Sequence, residues 1–143
     1  MIIDSHCHLN YEPMSLSLKE TIDRANNDGV KYLLTISTED KSFDKIINII
    51  SQNKCVYGSY GIHPHEAKNH LLIKSEDIIK KIKLNKKIIG IGESGLDFYY
   101  NHSDKKDQIK CFEEHIIAAQ KTQIPLIIHT RNAESETLEI LKN

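Results

Sequence analysis

The stretch Ile88-Ile89-Gly90-Ile91-Gly92-Glu93-Ser94-Gly95-Leu96-Asp97 decides how the rest of the chain reads. Ile88 to Ile91 is a short, branched apolar run, as expected of a strand covered on both faces. Glycines follow, which let the backbone turn sharply and pass close to another group. Glu93 and Asp97 then bring carboxylates to the end of that strand. In α/β folds the functional groups gather at the carboxyl ends of parallel strands.

On both sides of this stretch the same unit recurs. Toward the C-terminus, Asp104 is placed to cap a long helix with the stripe Ile109, Phe112, Ile116 and Ala119. Pro125 closes the linker, Leu126 to Ile128 reads as a fifth strand, and residues 134 to 142 read as helical. Toward the N-terminus, Ser75 starts a helix that turns Ile78, Ile79 and Ile82 inward, after a strand at Cys55 to Tyr60 broken by Gly58. Before that come a helix with Phe43, Ile46, Ile47 and Ile50 on one face and a strand at Tyr32 to Ile36. The first unit is a brief run from Met1 to Ile3, then a helix with a Ser17/Glu20 capping-box signature, the face Leu18, Ile22 and Ala25, and a stop at Gly29. Five strand-plus-helix units predict parallel strands joined by right-handed helical crossovers. No linker divides the chain, and no internal repeat or low-complexity segment interrupts it.

Composition bounds the function. The 143 residues carry a net charge of -1, with 39% hydrophobic and 27% charged residues, which argues against wholesale disorder. No apolar run approaches the roughly 20 residues that span a bilayer, and no secretory leader is evident. The expectation is a soluble, cytoplasmic protein without a membrane partner. A near-neutral balance excludes broad electrostatic capture of nucleic acid, so any phosphate must be held at a local site. Cys7, Cys55 and Cys111 form no CxxC pair and suit a reducing compartment.

The unusual residues fall repeatedly at strand ends. His6 and His8 are two apart, so in extended chain both imidazoles reach one side and can converge on one ion, while Cys7 points away. Glu93 is a carboxylate whose two oxygens can each bind a cation. Asp97 can orient a ligand or satisfy the loop backbone. His129 repeats the ligand logic, and Arg131, two residues on, can make a bidentate contact to a phosphate. His63 and His65 flank Pro64; His63 is expected in the pocket, with His65 left open. The plainer readings are two surface histidines, a helix-capping acid and a surface ion pair. His70, His102 and His115 are expected to face solvent, and Lys80, Lys81, Lys83, Lys86 and Lys87 to form a solvated face at the opposite end of the sheet.

Asp4-Ser5-His6-Cys7-His8-Leu9, Gly61-Ile62-His63-Pro64-His65, Gly92-Glu93-Ser94-Gly95-Leu96-Asp97 and His129-Thr130-Arg131, in that order and spacing, resemble the TatD-type metal-dependent deoxyribonucleases. The resemblance implies a TIM-barrel-type (β/α) hydrolase of the amidohydrolase superfamily that uses two divalent metal ions, Mg, Mn or Zn, to activate a water against a phosphodiester. It implies that His6 and His8 bind one metal, that Glu93 bridges both, and that His129 binds the second. Glu93, His63 and Arg131 would carry the catalysis, the latter two by stabilising developing charge. The implied substrate is DNA, single-stranded or at 3′ ends.

The family pattern continues with a further metal-binding histidine and a late aspartate that have no counterpart up to Asn143. An eight-unit barrel needs at least about 200 residues. Residues 1–143 are therefore expected to be the N-terminal part of such a barrel, about five of its eight βα units, with the second metal weakly held. Uncovered strand edges would then invite a separate C-terminal fragment or self-association. Two alternatives stand beside the nuclease: a non-catalytic remnant of one, and a related amidohydrolase acting on amides or lactones.

Overall fold

The computed structural model describes residues 1–142. Strands and helices alternate as β1 (Ile2–Cys7), α1 (Leu18–Asn27), β2 (Val30–Thr35), α2 (Phe43–Gln52), β3 (Val56–Tyr60), α3 (Ser75–Ile82), β4 (Ile88–Asp97), α4 (Lys105–Thr122), β5 (Leu126–Arg131) and α5 (Glu134–Lys142). The five strands form one parallel sheet in the order β1-β2-β3-β4-β5. Each strand lies beside the next in sequence, so right-handed crossovers put the helices on one face, as in a barrel wall. No helix among the described residues is long and apolar enough to cross a membrane.

The core lies between the sheet and that helical layer. Leu33, Val56, Ile88 and Ile91 from the strands meet Ile22, Phe43, Ile46, Ile50, Ile78 and Ile82 from the helices. Each such side chain removed from water contributes about 1.5–3 kcal/mol. The opposite face of the sheet is open: Ile3, Tyr32 and Ile89 are 55%, 43% and 43% exposed. β1 and β5 are each paired on one side only.

Several local expectations shift. β4 does not stop at Ile91 but runs through Glu93 to Asp97, and β5 runs on through His129 to Arg131. The reason is backbone pairing: Ser94, Gly95, Leu96 and Asp97 pair with Ile128, His129, Thr130 and Arg131. Gly58 does not break β3. A Cβ there would stand 2.9 Å from both Ile46 and Ile88 side-chain carbons, so the glycine admits the core side chains packed over it. Ser17 makes no capping bond, because a 3-10 turn (Met14–Ser17) leads directly into α1. Asp104 caps α4 with its carbonyl, which accepts the N–H groups of Asp107 and Gln108, and not with its side chain.

The buried face of α4 is Gln108, Cys111, Phe112, His115 and Ala118, rotated from the apolar stripe. His115 is therefore fully buried instead of facing solvent. In the lysine cluster Lys80, Lys83 and Lys86 are exposed as expected, while Lys81 and Lys87 are partly buried. Lys87 donates to the Ile50 and Asn53 carbonyls at 2.7 and 2.6 Å, compensating the C-terminal end of α2. Lys81 pairs with Asp40 at 2.6 Å.

Candidate metal centre

The site forms where β1, β3, β4 and β5 end. Gly61, just past β3, and Gly92, inside β4, touch so closely that a Cβ on Gly61 would lie 2.3 Å from the Gly92 Cα. Serine hydroxyls lock that approach. Ser59 Oγ donates to the Gly92 carbonyl at 2.6 Å and accepts the Ser37 N–H at 3.1 Å. Glu93 N–H donates to the Ser37 carbonyl at 2.8 Å, and His63 N–H to the Thr38 carbonyl at 2.8 Å. Three strand ends are thereby tied into one floor, and the Glu93 side chain stands at its centre.

Glu93 reaches two histidine groups at once. Its Oε2 is 3.4 Å from His6 Nε2, and its Oε1 is 3.0 Å from His129 Nδ1. His63 Nε2 lies 3.2 Å from the same His129 nitrogen. Among the described residues, His6, His8 and Glu93 form one group whose ligand atoms could hold a metal ion, and His63, Glu93 and His129 form another. Imidazole nitrogens with a shared carboxylate are the donor set of Zn, Mn and similar divalent ions, so the residues present fit such a group. His8 is pre-oriented: its Nδ1 donates to the Ile36 carbonyl at 3.2 Å, which leaves Nε2 as the free lone pair. Cys7 turns away, its thiol against the Leu34 carbonyl and pushed up to about 12 by burial and then by Asp4. It is a structural thiol.

Asp97 ties the floor to its surroundings. Its fully buried Oδ2 is 2.8 Å from His65 Nε2 and 3.2 Å from His129 Nε2. Its Oδ1 accepts the N–H groups of Tyr99 and Tyr100 at 3.1 and 3.0 Å. Gln108, reaching in from α4, holds the Asp97 backbone from both sides, accepting its N–H and donating to its carbonyl. His115, also from α4, accepts the Ile62 N–H at 3.1 Å through Nε2, while its Nδ1 donates to the Cys111 carbonyl. That bond fixes the residue just before His63.

The electrostatics follow from these contacts. Burial pushes the Asp97 carboxyl up, but the Tyr100 N–H, His65, His129 and the Tyr99 N–H outweigh it and bring it to about 2. Burial likewise opposes ionisation of Glu93, and its bond to His129 with the charges of His63 and His6 pulls it lower. His129 moves up, chiefly through its bond to Glu93. Burial and the neighbouring His129 hold His63 at about 4, so it is neutral near pH 7.

The structure gathers His6, His8, His63, His65, Glu93, His129 and Arg131 around one cavity of about 580 Å³, with Tyr11, Thr38, Glu39 and Glu66 on its remaining wall. His65 faces inward, and Asp97 makes more contacts than its loop position suggested. Gln108 and His115 were not expected at the site. Both lie on a helix far along the chain, and a polar residue on a helix gives no local sign of facing a strand end.

The family model described as "TatD related DNase" matches residues 3–143. A protein named "Uncharacterized metal-dependent hydrolase" from Buchnera aphidicola subsp. Baizongia pistaciae is 40% identical over 99% of this chain and 54% of its own length. "Deoxyribonuclease Tat-D" from Schizosaccharomyces pombe is 30% identical over 85% of this chain and 42% of its own length. The crystal structure of YjjV, a TatD homolog from Escherichia coli K12, superposes with a TM-score of 0.90 at 25% identity, over 99% of this chain and 55% of that one. The chain thus spans about half the length of the relatives it matches, and its five parallel strands form a curled half-barrel of the TIM type. Through its strand order and its sequence, the chain belongs to the TatD-related DNase family.

Proposed function

We propose that this chain carries the N-terminal share of a two-metal phosphodiesterase site acting on DNA. One observation carries the reading: Glu93 sets one oxygen toward His6 and the other toward His129. His6, His8 and Glu93 would hold one divalent ion, and Glu93 and His129 the second. Bound there, the ions supply Lewis acidity and a means of drawing a nucleophile from water near neutral pH. Arg131 lines the cavity as a guanidinium able to take a phosphate oxygen bidentately. His63, neutral in its half-buried position, can exchange hydrogen bonds with a substrate oxygen without adding charge. Asp97 fixes the ring planes of His65 and His129.

DNA as substrate is supported by the name of the fission-yeast relative. A cytoplasmic setting is supported by three free cysteines. The open edges of β1 and β5 are where further strands, from a C-terminal half or another copy, would pair. Incubating the purified chain with labelled single-stranded DNA and Mg or Mn, with and without the remaining half of a relative, tests the reading. We expect little turnover from the chain alone and gain of Glu93-dependent cleavage on complementation. Complementation that yields no cleavage would favour a non-catalytic remnant. Cleavage that survives Glu93→Ala would refute the site.

A further inference from the structure

Among the described residues, neither group able to hold a cation takes a member from β2 or from the segment after it. That segment nevertheless supports both groups. The Ser37 carbonyl accepts the Glu93 N–H, and the Thr38 carbonyl accepts the His63 N–H, each at 2.8 Å. Ser37 is buried and anchored on all sides: its N–H donates to Ser59 Oγ at 3.1 Å, and its hydroxyl to the Gly61 carbonyl at 3.3 Å. Thr38 is only half-buried, and its side chain turns the other way, toward the loop after β1. There its hydroxyl is hydrogen-bonded to the hydroxyl of Tyr11.

Tyr11 is tied to His8 in two ways. Its N–H donates to the His8 carbonyl at 3.2 Å, and its ring leans on the His8 ring, with centroids 5.7 Å apart and planes inclined at 48°. Its carbonyl accepts the Ser15 N–H at 2.9 Å, so the backbone of the loop is held. The Tyr11 side chain is 39% exposed, and packing alone therefore does little to fix its ring. The bond to Thr38 supplies what packing does not. His8 needs that support. Its own bond, from Nδ1 to the Ile36 carbonyl, sets the tautomer but lets the ring tilt about a single contact. Tyr11, Thr38, His8 and His63 all line the same cavity, so the hydroxyl pair spans from one histidine's neighbour to the other's.

We infer that Tyr11 and Thr38 are a positioning pair, whose shared hydroxyl bond holds the Tyr11 ring against His8 and so aims the His8 nitrogen at a cation in the His6, His8 and Glu93 group. The inference rests on the two-cation reading and adds to it two residues that touch neither ion. The test is calorimetric titration with Mn, the two binding steps being assigned with His6→Ala and His129→Ala. Tyr11→Phe and Thr38→Val each remove the bond and keep the shape of the side chain. Each should weaken the His6 and His8 step by roughly tenfold, as loss of an outer partner of a ligand does, and leave the His129 step unchanged. The double variant should be no weaker than either single one, because both remove the same bond. Thr38→Ser, which keeps the hydroxyl, should bind as the wild type does. Wild-type affinity in Tyr11→Phe, additive losses in the double variant, or a Thr38→Ser chain as weak as Thr38→Val overturns the inference alone. So does equal weakening of both steps, which would assign the pair to folding. Absence of Mn binding by the wild type removes the two-cation reading as well.

Discussion

His115 spends both ring nitrogens inside the protein, and burial holds it at about 4 against an ordinary 6.5. Its neutral form is the folded form, so the unfolded chain binds the extra proton between those two values. Stability contributed by this ring is complete above pH 6.5 and falls by about 3 kcal/mol as pH drops toward 4. Urea unfolding at pH 7 and pH 4.5 should show a smaller pH effect in His115→Gln than in wild type; equal effects would show that His115 does not carry the acid sensitivity. Asp97 makes a second residue-scale case. Asp97→Asn should lower Mn affinity by about 10–100-fold, through loss of the carboxylate that orients His129, measured by titration calorimetry. The candidate ligand cluster was legible, because His6, His8, Glu93 and His129 stand at strand ends where the sequence places unusual residues repeatedly. Gln108 and His115 were not, because only the packing of α4 against strand ends gives a helix-borne polar side chain its partner.

At the scale of elements, β4 carries the heaviest constraint. Gly95 has φ +151°, and a Cβ on it would stand 2.0 Å from the His129 carbonyl oxygen in the neighbouring strand. That oxygen is backbone and cannot swing aside. Gly95→Ala should cost on the order of 3 kcal/mol or more through displacement of β5 and backbone strain, seen as a lowered midpoint in urea; an unchanged midpoint would contradict the close approach. The existence of all five strands could be read from apolar runs, since parallel strands under helices are apolar on both faces, whereas their barrel-wall order followed only from the family resemblance. Their ends could not be read that way. Glu93 and Asp97 are polar, so the run stops at Ile91 in the sequence, while the ladder to β5 continues to Arg131. The buried face of α4 departs from its apolar stripe for a related reason: the buried row includes Gln108 and His115, which no apolar period contains.

The described residues form a half-barrel with one face of its sheet uncovered. Ile3, Tyr32 and Ile89 on that face should make the isolated chain associate with itself as concentration rises, detected by sedimentation velocity; a strictly monomeric chain throughout would show that the exposed face is not adhesive. The floor of the candidate site is independent of that face, since its ties run between strand ends and to α4. On the proposed reading, one carboxylate serves two cation sites. Calorimetric titration of the chain with Mn, comparing wild type with Glu93→Ala, His6→Ala and His129→Ala, puts this to the test. The prediction is that His6→Ala and His129→Ala each weaken one part of the binding, and that Glu93→Ala abolishes both. Binding by Glu93→Ala that matches the wild type would contradict it.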